Sequence, residues 1–259
     1  MHLFELLVIA HVIAGTVGLG AFWVPIFARK GAGNHRRWGR IACHGFIVAG
    51  ALAVAMALLS LFGSEERLPS VTDRALFDGL FGWMMLYLGL LTIGFADYGL
   101  AVVRHGRARK NLRSLRYQSV IALVVVSALN CGIYGASIGN ALMIAVAALG
   151  VAAMGMQQLF IWRPRAPSPT AYVSEHFRAL IGMGISAYTA FMAVGLIRWV
   201  PEQVFNPLVW AGPSVIGVGL IIWFTLRSNR RRPAKSVRPV STRPAAPFNA
   251  AQSPPPTGD

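Results

Sequence analysis

Apolar residues run along the chain in long blocks separated by short polar and basic stretches. The blocks cover about 3–27, 40–62, 77–103, 117–137, 141–162, 179–200 and 208–226. Each is about 20 residues or more, enough for an α-helix to cross a ~30 Å hydrocarbon core. A helix satisfies its own backbone hydrogen bonds in lipid, where water cannot. The pattern therefore predicts an all-α, polytopic transmembrane bundle of about seven spanning helices. The opening MHLFELLVIAHVIAG has no Lys or Arg before its apolar run and no obvious small-residue cleavage site. It predicts a first spanning helix that is retained, not a signal peptide.

Charge orients this bundle. An odd number of spans puts the termini on opposite sides. Of the 24 Lys and Arg residues, only Arg67, Arg74 and Arg198 fall outside the loops 28–39, 104–116 and 163–178, the boundary residue Arg40 and the tail after 226. The positive-inside rule then places the N-terminus outside and the C-terminus in the cytoplasm, in a multi-pass protein of the cytoplasmic (inner) membrane. Glu5, Glu65, Glu66, Asp73, Asp78 and Glu202 lie toward the outer side, in loose agreement. The seven tryptophans fall near span ends, where an amphipathic indole sits among headgroups.

Composition fits the same picture. Residues are 55% hydrophobic and 13% charged, against roughly 25% charged in a soluble domain. The net charge of +15 would suggest nucleic acid if read alone, but the basic residues sit where membrane orientation already explains them, and no nucleic-acid partner is expected. Residues 227–259, basic and proline-rich, predict a disordered cytoplasmic tail drawn to anionic lipid headgroups. The expected partner is the bilayer itself. Cys43 and Cys131 lie near opposite faces and imply no disulfide framework.

Ionisable residues are costly inside a membrane and so are the first functional candidates. His11 lies in span 1 on a stripe with Gly15 and Gly18, where a helix or flat ligand can approach closely. The plainer alternative is a neutral histidine bonded across a helix interface. Asp97 is the one acid deep in a span, either relaying protons or ions, or pairing with a histidine or with a loop arginine such as Arg104. Gln157 and Gln158 are expected to be interhelical hydrogen-bond donors. Arg198, at the outer edge, reads as a snorkelling residue.

The stretch GNHRRWGRIACHG carries His35, Arg36, Arg40 and His44. On one helix, His35 and His44 are nine residues apart, which puts them on opposite faces about 13 Å apart along the axis. They cannot share a metal, and no metal site is read from the sequence. Arg36, Arg40 and His44 do share a stripe, suited to a lipid phosphate or an anionic substrate or, more simply, to anchoring. A haem needs two histidines at one depth from different helices, and His44 with His176 is the best such pair. Without a Cys-x-x-Cys-His motif, any such haem b is non-covalent. No Walker-type loop, zinc-protease signature or Gly-x-Ser-x-Gly elbow occurs, which lowers soluble-type enzyme readings.

His11, Gly15 and Gly18, followed by HRRWGR at 35–40, resemble an uncharacterised bacterial family of predicted multi-pass membrane proteins. That family is marked by a histidine in its first helix and a His-Arg-x-x-Gly-Arg motif leading into its second. YTAFMAVGLIRWVP, with Tyr188 ten residues before Arg198, resembles its later helix, although Ser186 stands where the family has an arginine. The resemblance implies a membrane location and topology, and brings no activity with it.

Three functions follow as expectations. The first is binding or moving a small ligand, ion or proton through a polar intramembrane site, with His11, His35, Arg36, Arg40, His44 and Asp97 as candidates. The second is a b-type haem redox protein on His44 and His176. The third is a non-catalytic assembly or scaffold protein.

Overall fold

A computed structural model describes residues 3–63, 74–166, 168–194 and 207–230. Seven long helices make up the described residues: α1 (Leu3–Phe27), α2 (Gly33–Phe62), α3 (Arg74–His105), α4 (Leu115–Ser137), α5 (Ala141–Trp162), α6 (Ala171–Val194) and α7 (Pro207–Arg230). Among them there is no strand. Five, α1 to α5, are long and apolar enough to cross a membrane. Arg198, Trp199 and the tail beyond Arg230 lie outside the described residues.

The helices match the apolar blocks, with two informative differences. α2 begins at Gly33 and α6 at Ala171, well before the blocks predicted from 40 and 179. Hydropathy marks where hydrocarbon begins, while a backbone that has started a helix keeps its hydrogen-bonded turn into the polar layer. Both early turns carry the residues that matter below. α3 also contains a π-helical stretch, Asp78–Met84, near its start, a local widening often found where a helix is re-aimed against neighbours.

α3 is the axis of the bundle. Of its most apolar stretch, 67% is buried, against 17 to 33% in the other four apolar helices. The antiparallel hairpin α1–α2 packs on it from one side, the hairpin α4–α5 from another, and α6 lies along it with α7 outside. α2 and α3 cross at paired glycines: a Cβ on Gly50 would lie 2.9 Å from the Gly89 carbonyl oxygen, and one on Gly89 2.9 Å from that of Gly50. Only hydrogen side chains allow these backbones to approach so closely. Gly18 plays the same part between α1 and α2, lying under the Phe46 ring, whereas Gly15 faces open space. The close approach expected beside His11 therefore occurs at one glycine of the pair.

Short connections close the helix ends. Gly139, at φ +69°, turns α4 into α5, and the Asn140 side chain accepts from the Met143 N–H to cap α5. Gly31, at φ +78°, does the same between α1 and α2. The outward faces are apolar: Leu6, Ile9 and Ile13 on α1, Leu123, Val126 and Ile133 on α4, and Leu149 and Leu159 on α5 are all exposed. Such a belt is unfavourable in water and natural against lipid, so the chain is a helical integral membrane protein. Cys43 and Cys131 are buried and free.

Candidate functional site

The connections 28–32, 106–114, 163–166 and 168–170 follow α1, α3 and α5 in an up-and-down bundle and so lie at one end of it. Their cations first serve the helices themselves. The Lys30 ammonium donates to the carbonyls of Pro25 (2.8 Å) and Ile26 (2.6 Å), the last turn of α1. Arg109 donates to Phe160 O (2.6 Å) and Arg113 to Ile161 O (3.2 Å), the last turn of α5. Helix C-termini expose unpaired carbonyls and carry partial negative charge, so cations are favoured there. Lys30 also sits 4.8 Å above the Phe224 ring of α7. Burial, and after it the Arg227 charge, holds its pKa below the usual lysine range.

At this end the early turns of α2 and α6 meet. The His35 and His176 rings lie 6.4 Å apart, centre to centre, inclined at 67°. His35 Nδ1 is 3.1 Å from the Pro25 carbonyl oxygen, and His176 Nδ1 is 2.7 Å from that of Gly99. A carbonyl can only accept, so both rings carry their proton on Nδ1 when neutral, leaving each Nε2 with a free lone pair. The Pro25 carbonyl is available because α1 is ending there, and α3 supplies the other through Gly99. Beside them Tyr98 donates to Glu175 (3.3 Å), which Arg178 also pairs at 3.1 Å. Glu175 is largely buried, its side chain 12% exposed.

The remaining sequence candidates are dispersed. His11 Nδ1 donates to Ala49 O at 2.9 Å, a bond between α1 and α2. His44 is exposed, and its Nδ1 donates to Arg40 O one turn back (2.7 Å); Arg40 Nε in turn reaches Arg36 O at 3.4 Å. The Arg36, Arg40 and His44 stripe is thus an outward-facing row on α2. The ring that His176 meets is His35, whereas the haem reading had paired it with His44.

Asp97 pairs with Arg116 on the first turn of α4 (2.6 Å), not with Arg104. Stripe position along α3 pointed to Arg104, but the neighbouring helix presents a guanidinium directly. Gln158 does bond across helices, Nε2 donating to Gln118 Oε1 at 2.7 Å. Gln157 does not: it is buried, and neither amide atom has a partner among the described residues.

The seam between α3 and α6 carries polar groups from this end inward. Thr92 Oγ1 lies 2.8 Å from Ser186 Oγ, and both hydroxyls reach the Leu88 carbonyl. Farther along α6, Tyr188 accepts from Trp23 Nε1 (2.6 Å) and donates to Leu19 O (3.0 Å), tying α6 to α1. Between the histidines and the hydroxyl pair, the buried Phe95 ring lies against Gly182. The polar groups therefore form separate stations, and the histidine pair stands at the bundle end.

His176 was a sequence candidate, but nothing in the sequence assigned His35 to it. Tyr98 and Glu175 were missed, because an acid in an early helical turn looks like ordinary interfacial polarity. Among the described residues, no three His, Cys, Asp or Glu side chains converge as metal ligands. No family model matches the chain, and no curated protein and no solved structure matches it either.

Proposed function

We propose that this multi-pass protein of the cytoplasmic membrane binds a proton or small cation at the His35–His176 pair, at the cytoplasmic end of its bundle. The observation that carries the reading is the pairing itself: two half-buried imidazoles from different helices, each fixed by a backbone carbonyl, with both Nε2 atoms uncommitted. Side chains whose orientation is locked by such partners are what a binding site needs. Two neighbouring imidazoles repel when both are charged, so the pair favours a single positive charge.

Binding is favoured over passage through the membrane, since Phe95 against Gly182 separates the pair from the polar groups deeper in the α3–α6 seam. The cytoplasmic placement rests on the positive-inside rule applied to the end that holds Lys30, Arg109 and Arg113. The exposed Arg36, Arg40 and His44 row faces outward at this same end, where anionic headgroups are its natural partners.

The test is a titration of ¹⁵N-histidine-labelled protein in lipid nanodiscs. The His176 ring is held below the usual histidine value by burial and, in part, by the His35 charge, so replacing His35 by Ala should raise its apparent pKa. A His176 titration unmoved by loss of the His35 ring would refute the proposal.

A further inference from the structure

The geometry points to a more specific ligand: we propose that His35 and His176 form a two-coordinate site for Cu(I), held between their Nε2 atoms. This rests on the reading above, since it uses the same pair, and adds the identity of the cation.

Distance is the first argument. A metal–imidazole bond is about 2 Å, and about 1 Å more separates each nitrogen from its ring centre. Two rings bridged through one ion in a straight line therefore stand about 6 Å apart, centre to centre. The observed separation is 6.4 Å. The ring separation therefore matches the span of one two-coordinate ion.

Ligand number is the second. With no third His, Cys, Asp or Glu side chain converging among the described residues, an ion that demands four or six protein ligands is poorly served. Glu175 does not fill the gap, being held by Tyr98 and Arg178. Cu(I), with a filled d shell, is content with two ligands in line, and imidazole is among the donors that suit copper. Hydrogen-bonding Nδ1–H to a carbonyl raises the basicity of Nε2 and fixes its direction, as metal-binding histidines commonly require.

Charge is the third. Lys30 donates to the same Pro25 carbonyl as His35, so its ammonium stands close to the site. The repulsion it exerts doubles from a monovalent to a divalent ion. A site of two neutral imidazoles beside an ammonium thus selects for single charge.

The test uses Ag(I), which shares Cu(I)'s charge and linear preference and does not change oxidation state. It is added to the intact ¹⁵N-histidine-labelled protein in nanodiscs. The Nε2 resonances of His35 and His176 should move together and saturate at one ion per protein, and His35→Ala or His176→Ala should weaken binding at least tenfold. Following the ring signals separates this site from the two thiols. The proposal is overturned if neither ring responds, if one ring responds alone, or if Zn(II) binds the pair more tightly than Ag(I). Coupled protonation without an Ag(I) response would remove Cu(I) and leave the proton-binding reading standing; absence of coupling would remove that reading directly.

Discussion

Arg116 Nη2 lies 2.6 Å from Asp97 Oδ1, so the acid deepest in a span is neutralised by the first turn of the next helix. Asp97 is therefore expected to hold α3 to α4 and to take no part in cation binding. Asp97→Asn should leave affinity at the histidine pair within about twofold. Because Arg116 is exposed, the pair should couple by only about 0.5–1 kcal/mol in a double-mutant cycle of unfolding with Arg116→Gln. A large loss of cation binding in Asp97→Asn, with the fold intact, would bring Asp97 back into the site.

The α2–α3 crossing makes a sharper stability prediction. Gly89→Ala would drive a methyl to 2.9 Å from the Gly50 carbonyl oxygen, and should cost about 1–3 kcal/mol through forced separation of the helices. Gly15→Ala, with nothing within 4 Å of its new methyl, should stay within about 0.5 kcal/mol of the parent. Unfolding in detergent or bicelles measures both, and equal effects would contradict the crossing.

Gln157 offers a gain. The residue is 4% exposed and its amide unpartnered among the described residues, and an unmet buried polar group costs about 1–3 kcal/mol. Gln157→Met, close in volume, should raise stability by about 1 kcal/mol. A loss would show that the amide is satisfied in the folded protein.

Lys30 should deprotonate below the usual lysine value of 10.5, with burial as the main cause and Arg227 the second. Arg227→Gln should bring its titration only partway back up. A lowered lysine pKa means the folded state disfavours the ammonium, so this group's contribution to stability rises as pH climbs from the lowered value toward 10.5. A ¹⁵N titration of the lysine side chain reads it directly, and deprotonation at or above 10.5 would contradict the packing described.

Much of this architecture was legible in the sequence because lipid imposes one rule on every span. The apolar blocks coincide with the long helices of the described residues, where His35 turns toward α6 and His44 outward. Periodicity works along one helix only. The partners of His35 and Asp97 lie on other helices, and which faces meet is decided by packing that hydropathy does not encode. Arg104 was a reasonable partner for Asp97 by stripe position, yet Arg116 arrives from α4. Likewise Gln157 and Gln158 are adjacent and chemically identical, but point a hundred degrees apart, and only one meets a partner.

The central claim is that two imidazoles are locked side by side with both Nε2 atoms free. The most direct measurement is the ¹⁵N shift of the ring nitrogens of His35 and His176 in nanodiscs at a pH where both are neutral, assigned through the single Ala replacements. The account predicts protonated Nδ1 and bare Nε2 in both rings. A proton on Nε2 of either ring would contradict it, since that tautomer cannot donate from Nδ1 to Pro25 or Gly99 and leaves no lone pair on Nε2 for a cation.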